Sequence, residues 1–185
     1  MGVIGINLLH YPVFVLGPKI RIGLWLQGCS IRCKGCMSKH TWDFDQGKKM
    51  DIDVLSKTIN SIKCENITIS GGEPFDQSEE LLKLLKSIRN FKKDILLYTG
   101  YSKQQIFSIF SNHLNYIDAI VCNPFKEGNE SLYQYKGSNN QEMIILNDKM
   151  QNLYENYAKR EKSKTLQKTK HHIIGIPYQK VINEL

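Results

Sequence analysis

The chain has 185 residues, 41% of them hydrophobic and 23% charged. That is the balance of one globular domain with a short appendage, and it excludes a disordered or collagen-like chain. The net charge of +7 is concentrated late, with six bases against one acid between Lys159 and His172, so a general nucleic-acid-binding surface is not expected.

No apolar run nears the roughly 20 residues that a membrane helix needs. The opening residues, Met1 to Asn7, lack the basic and apolar regions of a secretory signal. Cys29, Cys33 and Cys36 crowd into eight residues, whereas Cys64 and Cys122 stand alone. An odd count of five thiols without a signal points to a reducing compartment, so a cytoplasmic location is expected.

In chain order, 20–27 (IRIGLWLQ) reads as a buried strand. Residues 51–62 read as a helix, with Val54, Leu55, Ile59 and Ile62 at helical spacing and Asp51 or Asp53 as cap. A β-branched strand follows at 66–70. The clearest helix spans 77–91, with a capping box at Asp76-x-x-Glu79 and an apolar face of Leu81, Leu82, Leu84, Leu85 and Ile88. Residues 94–99 form the next strand, and Ser102-x-x-Gln105 caps a helix to Phe110. Strands are expected at 118–122 and 142–146, a weak helix at 148–160 and a last strand at 172–176. Strands alternating with helices imply βα units and a mainly parallel sheet, whose chemistry collects at the C-terminal strand edges. The chain falls short of the ~250 residues of a closed eight-fold barrel, so the expectation is an α/β fold with a partial, open barrel of about five to six strands.

Two loops carry the chemistry. Gln27 to Cys36 contains a C-x3-C-x2-C spacing directly after the first strand. Thiolates are the usual holders of iron–sulfur clusters, and three from one tight loop would leave one iron of a four-iron cube open to a ligand. Two other readings remain: zinc with His40 as fourth ligand, or buried free thiols. The second loop, Ser70-Gly71-Gly72-Glu73-Pro74, ends another strand. Its glycines admit close backbone approach, and the Glu73 carboxylate suits an ammonium group.

In this order, each after a strand, the two motifs resemble the radical SAM superfamily. The wider sequence resembles the branch that activates anaerobic ribonucleotide reductase. The segments that carry this likeness are His10 to Val13, Gly17 to Arg21, Gln27 to Cys36 with Lys39, Thr41 and Trp42, Lys93 to Ile95, Tyr98 to Tyr101, and Tyr135 to Gln141. The resemblance implies a [4Fe-4S] cluster on Cys29, Cys33 and Cys36. It implies S-adenosylmethionine bound at Gly71, Gly72 and Glu73, beside Gly35, Cys36 and Met37. By position at strand ends, Ser70, Thr99 and Asn123 join the cofactor-binding set. The implied activity is reductive cleavage of the cofactor to a 5′-deoxyadenosyl radical, driven by an external electron donor such as flavodoxin or ferredoxin. The implied partner is a glycyl radical enzyme. A small-molecule or peptide substrate, or a non-catalytic metal-binding module, are the alternatives.

Departures from the branch pattern are Lys19 in place of a glycine, Met37 in place of an aromatic, Cys122-Asn123-Pro124-Phe125 in place of Asp-Gly-x-Phe, and Lys136 in place of arginine. The division expected is a core over 1–147 and a helix with a basic extension over 148–185. Cys64 and Cys122 read as small core residues. Trp42 and Phe44 read as cluster shields or core. Tyr98 and Tyr101 read as pocket walls or strand and turn aromatics. The basic tract reads as a solvated tail, with His171-His172 a weak metal signal.

Overall fold

The computed structural model describes residues 2–161, 166–170 and 173–176. Among the described residues, seven strands form one open sheet in the order β3-β1-β2-β4-β5-β6-β7. They are β1 (Val3–Val13), β2 (Arg21–Leu26), β3 (Lys48–Asp51), β4 (Asn66–Gly71), β5 (Asp94–Tyr98), β6 (Ala119–Cys122) and β7 (Glu142–Ile145). The central four, β2, β4, β5 and β6, are parallel neighbours, while β1, β3 and β7 pair antiparallel at the flanks. The sheet thus has seven strands, with β1 and β3 added to those expected from the sequence.

Helices α1 (Ile52–Ser61), α2 (Ser78–Ile88), α3 (Lys103–Ile109) and α4 (Ser111–Leu114) contribute to one core, and α5 (Gln151–Ala158) to another. Period-two alternation along the strands divides the side chains between two faces. Ile95 and Leu97 of β5 join Ile22, Leu24, Ile67 and Ile69 against the first helices, with Leu55, Leu81, Leu85 and Ile88. Leu96, Ala119 and Val121 turn the other way and meet Tyr154 and Tyr157 of α5, both fully buried.

Local chemistry sets the helix ends. Asp51 caps α1 by accepting from the Asp53 and Val54 amides, and Ser102 with Gln105 completes a capping box on α3. Val54 of α1 faces solvent, because Ile52, Leu55 and Ile59 already fill the inward stripe. The capping box expected at Asp76 does not form. Pro74–Gln77 is a 3-10 turn capped by Glu73, α2 starts at Ser78 and ends at Ile88, and Asp76 bonds to another loop. The strand expected at 172–176 is the two-residue β9 (Ile173–Ile174). It pairs with β8 (Gln167–Lys168) in a separate hairpin rather than joining the main sheet.

Candidate functional site

The parallel order puts four strand ends side by side. The cysteine loop leaves β2, Gly71 ends β4, Thr99 follows β5 and Asn123 follows β6. Trp25 is in register with Ser70, and Leu26 with Gly71. Beyond the sheet, backbone bonds continue the pairing: the Gly72 amide donates to the Leu26 carbonyl (2.8 Å) and the Glu73 amide to the Gly28 carbonyl (2.8 Å). On its other side the Gly28 amide donates to Thr41 (2.7 Å) and the Cys29 amide to Trp42 (3.0 Å). The first cysteine is therefore held between two strands of backbone. A Cβ on Gly72 would fall 2.0 Å from the Gly28 carbonyl oxygen, which explains the glycine there. Gly71 takes φ +109°, a conformation that glycine adopts without strain.

Asp76 anchors the loop further on. One carboxylate oxygen accepts from the Ser30 amide (2.6 Å); the other accepts from the Ser30 hydroxyl (2.9 Å) and the Tyr101 hydroxyl (3.0 Å). At the loop's far end the Ser38 amide donates to the Cys36 sulfur (3.3 Å).

These elements enclose a cavity of about 150 Å3. Cys29, Cys33 and Cys36 line it, together with Ser70, Gly71, Gly72, Glu73, Thr99 and Asn123. Gly35 and Met37 lie outside that lining and border a second, larger cavity of about 640 Å3, which shares Cys36, Ser70, Tyr98, Phe125 and Gln141 with the first. Ile31, Gly100, Phe125 and Gln141 also line the small cavity and were not among the expected site residues. Two had readable signals. Gly100 follows directly on Thr99, and Gln141 closes the Tyr135 to Gln141 element, where it accepts from the Gly137 amide and donates to the Asn123 carbonyl.

Glu73 is 1% exposed. Its carboxylate accepts from the Thr99 hydroxyl (2.7 Å), the Gly100 amide (2.7 Å) and the Phe75 amide (3.0 Å). Burial pushes its carboxyl up to about 7, against the pull of the Gly100 and Phe75 amides and the Thr99 hydroxyl toward the charged form. A cation brought beside it would draw it toward ionisation. Burial likewise pushes the Cys29 and Cys33 thiols up, partly countered by nearby backbone amides.

The donor set fits a cluster. Among the described residues no three His, Cys, Asp or Glu side chains gather as a single ion would need. The three thiols line one cavity of about 150 Å3, which has room for a group larger than one ion. His40 is not part of that lining; it borders the larger cavity. The indole nitrogen of Trp42, which also lines the small cavity, is buried without a hydrogen-bond partner. The Tyr98 hydroxyl, beside that of Tyr157, likewise lacks a well-formed bond.

The remaining candidates separate cleanly. Cys64 contacts the Ile20 and Asn66 carbonyls and packs against the core. Cys122 is buried in the core, its thiol pushed up to about 12 by burial and then by neighbouring Glu142. Phe44 is half exposed, and its ring lies over Gly28. Tyr101 bonds to Asp76 rather than facing the cavity. Part of the basic tract, with His171 and His172, lies outside the described residues. Among those described, no helix is long and apolar enough to cross a membrane.

Residues 15–144 match the 4Fe-4S single cluster domain family. Similar proteins include the anaerobic ribonucleoside-triphosphate reductase-activating protein of Vibrio cholerae, 31% identical over 71% of this chain and 92% of the relative. That of Escherichia coli strain K12 is 30% identical over 71% and 93%, and that of Enterobacteria phage T4 28% identical over 72% and 89%. Among solved structures, QueE from Escherichia coli is similar over 53% of each chain, at 21% identity and a TM-score of 0.43.

Proposed function

We propose that this chain, which belongs to the 4Fe-4S single cluster domain family and to the anaerobic ribonucleoside-triphosphate reductase-activating proteins within it, is a radical SAM activase that installs a glycyl radical on a partner ribonucleotide reductase. The observation that carries this reading is the cavity at the strand ends, where the three cysteines and the Ser70 to Glu73 segment share one lining.

Cys29, Cys33 and Cys36 would hold the cluster. When bound, it supplies one electron and a metal position free of protein sulfur, at which S-adenosylmethionine is cleaved so that hydrogen can be taken from the substrate. The chain's own residues do the positioning. Gly71 and Gly72 bring backbone close to the methionine end, and Glu73 receives its ammonium group. Its carboxylate is already oriented by Thr99, Gly100 and Phe75, so little ordering is left for the moment of binding. Gly35, Cys36 and Met37 flank the adenosyl side, with Thr99 and Asn123 at the neighbouring strand ends. Cys29 and Glu73 are buried, which keeps water from that side of the site. An external donor such as flavodoxin or ferredoxin supplies the electron, in the reducing setting of the cytoplasm.

The test is anaerobic reconstitution with iron and sulfide. Brown protein that releases 5′-deoxyadenosine under dithionite, and that produces a glycyl radical signal after mixing with an anaerobic ribonucleotide reductase, is expected. Colourless protein holding zinc on those sulfurs overturns the reading.

A further inference from the structure

The larger cavity of about 640 Å3 is lined from two separate parts of the chain. One part of its lining is Cys36, Met37 and Ser70, at the site already described. Another part of its lining is supplied by Leu166, Ile174 and Ile176, residues beyond the matched domain, which stops at 144. The hairpin that carries them is fastened to the sheet. Gln167 accepts from the Phe14 amide (3.0 Å) and donates to the Pro12 carbonyl (2.6 Å). Ile174, 2% exposed, is buried with Val13, Val15 and Leu16, and Trp25 packs against that cluster. A volume of this size lies within the ~300–1,000 Å3 range of ligand pockets.

We infer that β8 and β9 form the substrate-side wall of the reaction cavity: they confine a glycine-bearing backbone segment of the protein substrate and keep solvent from the cysteine end. This rests on the proposed function for the identity of the occupant. Leu166, Ile174 and Ile176 give the cavity an apolar wall, while Cys36, Ser70, Tyr98, Phe125 and Gln141 join it to the small cavity. An entering loop packs the apolar Cα faces of its glycine segment and any apolar side chains against Leu166, Ile174 and Ile176, and brings its tip to the shared zone at Cys36, Ser70, Tyr98, Phe125 and Gln141. Apolar walls exclude water from such a path. The wall lies beyond the matched domain, so it tunes which partner segment fits rather than the chemistry itself.

Full-length Ile174→Asp and Gln167→Ala variants test this. The first places a charge in the buried contact; the second removes both anchoring hydrogen bonds and keeps the packing. Acrylamide quenching of Trp25, read in a Trp42→Phe background without cluster, is expected to rise at least two-fold in both. In reconstituted protein with both tryptophans present, 5′-deoxyadenosine release without partner is expected to rise at least three-fold. Radical formed on the reductase per 5′-deoxyadenosine is expected to fall at least three-fold. Unchanged quenching in both variants, or raised quenching with unchanged uncoupled release, overturns the wall. Wild-type protein that cleaves the cofactor but leaves every reductase without a radical overturns the partner reading instead, and the first two readouts then decide the wall alone.

Discussion

Asp76 grips Ser30 twice, through the backbone amide at 2.6 Å and the hydroxyl at 2.9 Å, and so fixes the residue that follows the first cysteine. The carboxylate comes from the turn after the Gly71 to Glu73 segment, so the loop that would hold the cluster and the loop that would hold the cofactor share a tether. Hydrogen bonds to a charged group are worth about 1.5–3 kcal/mol each. Asp76→Ala is expected to leave the fold intact but to speed cluster loss to a chelator at least five-fold, followed by the fading of visible absorbance. Asp76→Asn, which keeps an accepting oxygen, should fall between the variant and wild type.

Glu73 predicts a pH dependence. Its folded value of about 7 lies above the ordinary 4.5. Below about 4.5 the group is neutral in both folded and unfolded chains. Between 4.5 and 7 the unfolded chain releases the proton while the folded one retains it, so stability falls as pH rises through this window and levels off above it. The loss amounts to about 3 kcal/mol. Denaturant midpoints of protein lacking cluster and cofactor, taken from pH 4.5 to 8, should show that slope, and Glu73→Gln should flatten it.

Gly72→Ala would force a Cβ to 2.0 Å from the Gly28 carbonyl oxygen and 2.7 Å from its carbon. Both obstacles are backbone, and the two segments are tied by the Glu73-to-Gly28 bond, so neither can yield alone. A loss of about 3 kcal/mol in unfolding free energy is expected, with failure to retain iron after reconstitution. A variant that keeps wild-type stability and full iron content would contradict this account of the glycine.

Lys19 holds φ +62° on an exposed turn. A non-glycine residue in this left-handed region costs about 1–2 kcal/mol, which glycine's larger unfolded-state entropy partly offsets. Lys19→Gly is therefore expected to raise the unfolding free energy by about 1 kcal/mol, measured by urea titration, with no change in cluster content.

Most of the candidate site's lining is legible in the sequence because those residues sit in two short runs, each tied to a strand end. Cys29, Cys33 and Cys36 could be read from spacing, and Glu73 from the glycines before it. Lys19 and Asn123, at φ +62° and +79°, stand where the branch pattern has glycine, and asparagine is among the few residues that tolerate such a conformation. That explains one departure and exposes the strain in the other. What stayed hidden was long-range. Asp76 looked like a helix cap because its local spacing to Glu79 fits one, but its partner is 46 residues earlier. β1 was missed because its burial is broken along its length: it pairs on both sides, and its outer neighbour β3 is the short, polar segment Lys48–Asp51. The Gln141 contribution depends on a loop folding back from β7 to the end of β6, which no local pattern encodes.

Beneath the sheet's second face, the fully buried Arg21 guanidinium meets the Asp94 carboxylate at 2.6 Å, and the Tyr154 hydroxyl donates to that same carboxylate. The ion pair spans 73 residues of sequence, and the tyrosine lies 60 further on. A ribosome that has made β1 to β6 has therefore produced a sheet whose central charges still lack their cover. Until α5 has left the exit tunnel, the pair lacks the tyrosine that completes it, and the cysteine loop belongs to a sheet still uncovered on that face.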